Sequence, residues 1–233
     1  MQLLTAPVAL DVDVIDLHIL RLQLIDDRAD IIHRVKLQIQ IDVARVFLNI
    51  CIHDREQADA QKDHSKRAVI NRLKNFDVTL FYYNPNTFPE SEYQKRFETL
   101  KVYVDKAELG LNIVEIGYRD KDYLAAVSGF SDTTEGGPRC AVCIRTRLTK
   151  TAEYAKEHGF EYFASTLSVS PKKNAAVIND IGEELAKTYG VKYLVNDFKK
   201  ENGFQESVNI SKEFGLYRQD YCGCEASKNR RNT

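Results

Sequence analysis

From Phe76 to Val195, stretches patterned as strands take turns with stretches patterned as helices, and this alternation restricts the chain to few folds. Asp77-Val78-Thr79-Leu80-Phe81-Tyr82-Tyr83 is a β-rich run closed by the turn signal Asn84-Pro85-Asn86. Pro89 to Leu109 reads as a helix, with proline and acidic residues at its start and Gly110 just past its end. The pattern then predicts a strand over 112–118, a short helix over 120–127, a long helix from Cys140 to His158 stopping at Gly159, and a strand over 160–164. A helix over 171–189 and a strand over 191–195 complete it. Strands separated by helices of this length predict an α/β fold, a parallel sheet with helices on both faces in the manner of Rossmann-like and nucleotide-hydrolase-like layers, joined by right-handed crossovers.

In such sheets chemistry gathers beyond the carboxyl ends of the strands, which points to the loops after Tyr83, Ala164 and Val195. Tyr82-Tyr83-Asn84-Pro85-Asn86, Ser165-Thr166-Leu167-Ser168-Val169-Ser170-Pro171-Lys172-Lys173 and Asn196-Asp197-Phe198-Lys199-Lys200 mix hydroxyl and amide donors with lysines. Each alone suits a turn or a helix cap. Three on one edge suit an anion or nucleotide site.

A chain of 233 residues, 43% hydrophobic and 29% charged, can bury one substantial core in one or two domains. Its net charge of −1 excludes a global positive field, so contact with nucleic acid must come from a local patch. No apolar stretch is long enough to cross a bilayer, and the N-terminus lacks the basic region, apolar run and cleavage site of a secretory signal. A cytoplasmic protein is the expectation, and there thiols stay reduced.

Composition breaks near residue 65. Before it there is no glycine and no tyrosine, and the one phenylalanine is Phe47; all 11 glycines and all 12 tyrosines follow. Residues 34–43 alternate polar and apolar like one face of a half-buried strand, and Leu20, Leu22 and Leu24 repeat the pattern weakly. Residues 1–64 thus read either as a β-ribbon extension or as a disordered segment that never packs. They stand apart from a body over 65–227, and 228–233 forms a basic tail.

Four of the five cysteines fall in two tight pairs, Cys140-Ala141-Val142-Cys143 and Cys222-Gly223-Cys224. On a helical turn, sulfurs at i and i+3 face one point, as a zinc ion or a cluster iron requires. With only Gly223 between Cys222 and Cys224, a disulfide closed there would be strained and easily reduced. Cys51 is isolated and reads as a buried or incidental thiol.

Over about 65–227 the chain resembles the QueH type of epoxyqueuosine reductase, an iron–sulfur family. The resemblance is carried by Phe81-Tyr82-Tyr83-Asn84-Pro85-Asn86 with Glu92, Tyr93 and Arg96, and by Glu135-Gly136-Gly137-Pro138-Arg139-Cys140-Ala141-Val142-Cys143 with Arg147-Leu148 and Thr151-Ala152. Thr166-Leu167-Ser168, Ser170-Pro171-Lys172, Ile178-Asn179, Asp197-Phe198-Lys199-Lys200 and Leu216-Tyr217-Arg218-Gln219-Asp220-Tyr221-Cys222-Gly223-Cys224 continue it in order. It implies an oxidoreductase that removes the epoxide oxygen of epoxyqueuosine at the wobble position of tRNAs for Asp, Asn, His and Tyr, the last step of queuosine synthesis. It also implies a [4Fe–4S] cluster held in part by Cys140 and Cys143, a redox-active disulfide of Cys222 and Cys224, a tRNA partner and an electron donor, with no membrane. Arg139, Arg145 and Arg147 would then depress the thiol pKa values and offset the cluster's charge, or meet tRNA phosphates, or simply form a solvated helix face. Tyr217 and Tyr221 would stack on a splayed base or belong to the core.

One departure stands out. Family members open with a strand ending in Cys-Cys-x-Pro-Cys-Ser and leading into a helix; here Ser65 and a helix over Arg67–Leu73 remain, but Ala60 and Gln61 stand where the adjacent cysteines belong. Two cluster ligands are missing, and the polar run Asp54 to His64 predicts that the first core strand is missing too. A shifted reading frame or an erroneous gene model joined to an authentic body would produce this break, and left so, the chain would be an inactive family fragment. A rival reading is a non-enzymatic zinc module built from Cys140, Cys143, Cys222 and Cys224 that binds RNA or protein. An ATP-using tRNA-modifying enzyme is disfavoured, because no Ser-Gly-Gly-x-Asp-Ser pyrophosphate loop is present.

Overall fold

The computed structural model describes residues 49–54, 76–130, 134–200 and 202–230. The alternating run over 34–43, the Arg67–Leu73 helix and positions 60 and 61 lie outside them. Strands β1 (Asn49–Asp54), β2 (Phe76–Tyr82), β3 (Asn112–Glu115), β4 (Tyr162–Ser165) and β5 (Lys192–Tyr193) form one sheet in the order β3-β2-β1-β4-β5. Helices α1 (Glu90–Lys106), α2 (Asp120–Val127), α3 (Pro138–Glu157), α4 (Ala175–Tyr189), α5 (Gly203–Glu213) and α6 (Glu225–Asn229) accompany it. The α/β class read from the alternation is what the chain forms. None of the described helices is long and apolar enough to cross a membrane.

β2 pairs parallel to β3 and β4 parallel to β5, but β1 runs antiparallel to both β2 and β4, with Asn49 opposite Phe81 and Ser165. The sheet is therefore mixed, four strands pointing one way around a reversed centre. The expectation of a missing first core strand is corrected here: Asn49-Ile50-Cys51-Ile52 occupies that place and is fully buried. The polar run begins only after Asp54, and the short apolar run before it suits a strand covered on both faces.

Because side chains alternate along a strand, β1 feeds two cores. Ile50 and Ile52 join Val78, Leu80 and Tyr82 under Tyr93, Leu100 and Tyr103 of α1. Cys51 points the other way, to Phe163, to Leu148 and Ala152 of α3, and to Ile178 and Ile181 of α4. Helices thus cover both faces. α4 ends at Gly190 in the left-handed region (φ 70), as a helix stop by glycine requires. The strand over 191–195 shortens to two residues, and a 3-10 turn over Thr166–Val169 delays the start of α4 to Ala175.

The four co-directional strands end along one edge, and a buried polar network ties two of their loops together. Ser168 Oγ donates to Asn196 Oδ1 and accepts from the Phe198 N–H at 3.1 Å, while Asn179 Nδ2 donates to the Asn196 carbonyl at 2.9 Å. These loops act as caps and braces for the edge.

Candidate active site

Cys140 and Cys143 lie in the first turns of α3, which begins with Gly137 extended and Pro138 pre-set for the first helical position. Unpaired N–H groups there favour negative charge. The Gly136 N–H donates to Cys140 Sγ at 3.4 Å, with Gly136 at φ 90, a conformation that suits glycine.

Cys222-Gly223-Cys224 arrives from the far end of the chain as a loop capping α6. Arg96 of α1, 3% exposed, donates its Nε to Glu92 Oε1 at 2.8 Å and its two Nη groups to the carbonyls of Tyr221 and Cys222, each at 3.3 Å. Phe88 N–H donates to the Gly223 carbonyl at 2.8 Å, Ser227 Oγ accepts from the Cys222 N–H at 3.1 Å, and the Tyr221 hydroxyl donates to the Phe88 carbonyl. Gly223 sits at φ 123, and a Cβ there would meet Arg96 Nη1 at 2.9 Å and Asn86 Nδ2 at 3.0 Å. Only glycine lets this loop lie against α1 and the β2 loop.

The two pairs converge. Cys140, Cys143, Cys222 and Cys224 line one small cavity with Asn86, Tyr123, Arg139, Ile144, Arg147, Leu167 and Lys173. Arg139 Nη2 lies 3.9 Å from Cys224 Sγ and Nη1 lies 3.5 Å from the Tyr123 hydroxyl, while Arg147 Nε donates to the Tyr83 carbonyl at 3.3 Å. Arg139 and Arg147 are 7% and 3% exposed, so neither forms a solvated helix face. Arg145 does: it pairs with Glu184 at 2.6 Å with its side chain 43% exposed. The expected lowering of thiol pKa values by arginine does not win at Cys143, where burial pushes the thiol up to about 12 and Arg147 only partly opposes it. Burial likewise lowers the Arg147 pKa from its ordinary value, the neighbouring sulfurs pulling the other way.

Lys173, 7% exposed, bonds Glu135 at 3.1 Å and lies beside Cys222; burial works against its charge, but Cys222 and Glu135 prevail and its pKa is raised. Tyr217 gives its hydroxyl to Glu92 at 2.9 Å beneath Lys95, and Tyr221 packs over Arg96. Both serve as braces for the loop. Lys173 and Asn86 fell within loops the sequence singled out; Tyr123 carried no signal of its own, being one tyrosine on a short helix.

Among the described residues no three histidine, cysteine or acidic side chains converge closely enough to hold one metal ion. For an iron–sulfur cluster the donor chemistry fits two ligands: Cys140 and Cys143 offer thiolates one helical turn apart, an N–H points at one sulfur, and Arg139, Arg147 and Lys173 bring compensating charge. The cavity that the four thiols line measures about 20 Å³.

Residues 64–230 match the family model described as epoxyqueuosine reductase QueH. The chain is 43% identical over 152 residues to the epoxyqueuosine reductase QueH of Streptococcus pyogenes serotype M1, covering 64% of this chain and 60% of that protein. It is 37% identical over 154 residues to the Staphylococcus epidermidis protein of the same name, 64% and 65% being covered. The Thermotoga maritima protein of that name is 40% identical over 149 residues, 64% and 78% being covered. The chain thus spans less than two thirds of the length of the first two relatives.

Proposed function

Because the chain belongs to the QueH family of epoxyqueuosine reductases, we propose that it reduces epoxyqueuosine in tRNA to queuosine with the Cys222 and Cys224 thiols as the two-electron donor. The observation that carries this reading is the convergence of both cysteine pairs, 79 residues apart at their nearest members by number (Cys143 and Cys222), on one cavity beside three buried cations. Converting an epoxide to an alkene requires two electrons and two protons and releases the oxygen as water. A dithiol that closes to a disulfide supplies both electrons and both protons, so the step balances without a further reagent. A reductant of unidentified nature must then reopen the disulfide.

Cys140 and Cys143 would hold a [4Fe–4S] cluster, which when bound supplies single electrons at a potential tuned by its surroundings. Arg139 reaches toward Cys224 at 3.9 Å and sets a positive charge beside this sulfur. Arg96 holds the backbone on either side of the Tyr221–Cys222 bond, so the reactive sulfur is presented without reordering the loop. A cytoplasmic setting accords with thiols that cycle between reduced and oxidised forms.

The test is an anaerobic assay on tRNA carrying epoxyqueuosine, read by nucleoside mass, with this chain beside a version carrying Cys-Cys-x-Pro-Cys immediately ahead of Ser65. Conversion that is lost in Cys222→Ser supports the reading. An iron-loaded chain of the restored form that leaves the epoxide intact defeats it.

A further inference from the structure

The thiol cavity, about 20 Å³, has room for a water molecule and none for a nucleoside. Reduction by Cys222 therefore requires that the reacting group approach from another side. A second cavity adjoins it and shares two residues with it, Cys222 and Lys173. This one measures about 180 Å³ and is lined by polar groups: Glu135 and Asp220 carboxylates, Ser170 and Ser227 hydroxyls, and Lys172 and Arg230.

That volume lies below the ~300–1,000 Å³ of pockets for drug-sized ligands, so it suits a substituent and not a whole nucleotide. Hydroxyl and carboxylate groups together match a small ring bearing hydroxyls and an amine, and the two cations match a flanking phosphate. Lys173 cannot drift from its place: Glu135 holds its ammonium at 3.1 Å, and Lys199 donates to its carbonyl at 3.2 Å. It is also the one ammonium on the wall that both cavities share.

We propose that the polar cavity between Glu135, Ser170 and Asp220 seats the hydroxylated, epoxide-bearing ring of the modified base, with Lys173 donating a hydrogen bond to the epoxide oxygen and Cys222 at the carbon side. The proposal rests on the function given above and adds to it the place where the substrate binds and the group that meets the departing oxygen. The bookkeeping is unchanged: both C–O bonds break, a C=C bond forms, the two thiols become a disulfide, and their two protons leave with the oxygen as water.

The test uses the full chain and two fluorescent anticodon stem-loop RNAs, one carrying epoxyqueuosine and one with guanosine at the same position. The intact protein binds the modified RNA about tenfold tighter, the worth of one charged hydrogen bond. Ser170→Trp fills the cavity, and that preference disappears while binding of the unmodified RNA, circular dichroism and the number of titratable thiols stay as in the parent. Asp220→Asn, which leaves the volume unchanged, weakens the preference and guards against a misfolded tryptophan variant. Lys173→Met slows conversion about a hundredfold, as loss of one hydrogen-bond donor to a developing oxyanion does, and lowers the RNA preference without abolishing it. Absence of any preference in the intact protein, or a preference that survives Ser170→Trp and Asp220→Asn alike, overturns the proposal. Preference without conversion instead removes the function and leaves the cavity, so the two failures are told apart.

Discussion

Arg96 and Cys222, 126 residues apart in the chain, are joined by a hydrogen bond of 3.3 Å from the buried guanidinium to the cysteine carbonyl. With the parallel bond to Tyr221 and the Glu92 pair behind it, this one side chain fixes the loop that carries Cys222 and Cys224. A planar fork that serves two carbonyls and a carboxylate at once is a task arginine performs and lysine does not.

Arg96→Met takes the charged partner from the Glu92 carboxylate, 12% exposed beside a partner at 3%, and leaves it the Tyr217 hydroxyl. Breaking such a pair from one side costs about 3–5 kcal/mol, and denaturant unfolding measures it. Arg96→Lys keeps the charge and recovers part of that stability, but the Tyr221–Cys224 loop becomes accessible to limited proteolysis. Equal protease resistance in parent and lysine variant contradicts the role given to the fork.

Gly223→Ala sets a Cβ within 2.9 Å of Arg96 Nη1 at a φ of 123. The strained conformation alone costs about 1–3 kcal/mol, so the loop lifts from α1 while the sheet stays intact. Circular dichroism remains that of the parent, and Cys222 and Cys224 alkylate faster. Unchanged alkylation rates count against the tight docking of this loop.

Cys51 is fully buried at the centre of the sheet, and burial raises its thiol above the ordinary value of 9.0. The folded state keeps a proton that the unfolded chain gives up, so this contribution to stability is complete below pH ~9 and is lost as pH rises further. Iodoacetamide at pH 8 therefore labels the other cysteines of the native protein first, and Cys51 only on addition of denaturant. Cys51 labelling at the rate of an exposed thiol speaks against β1 as the central strand.

Ser168→Ala leaves the Phe198 N–H and Asn196 Oδ1 without their shared hydroxyl. An orphaned buried donor costs about 1–3 kcal/mol, read as a lower denaturation midpoint. Because the network braces the loop next to the 166–173 segment, the polar cavity loosens as well, and binding of the modified stem-loop weakens in the same variant. A midpoint equal to the parent's denies the network its bracing role.

Much of the architecture was legible in local pattern. Helix α2 falls on the predicted 120–127, and β2 lies within one residue of its predicted span, because turn and cap residues act on their nearest neighbours. α5 and α6 leave weaker local marks: the first is amphipathic but short, and the second is five residues held by its contacts with the cysteine loop. The reversed direction of the central strand has no local signal either, since strand direction is set by which neighbours a segment pairs with and leaves no mark on its own alternation.

What the sequence determined by itself is the chemistry on offer: two close cysteine pairs, loops rich in donors at one sheet edge, and a body ordered like its family. What only the tertiary structure decided is who meets whom. That Arg139 and Arg147 turn inward while Arg145 faces solvent follows from which side of α3 lies on the sheet and loop edge, and burial there, outweighing nearby positive charge, sets Cys143 as a high-pKa thiol. Likewise Lys173 becomes a shared wall of two cavities only because a loop some fifty residues further along the chain folds back beside it, a long-range contact that no local pattern encodes.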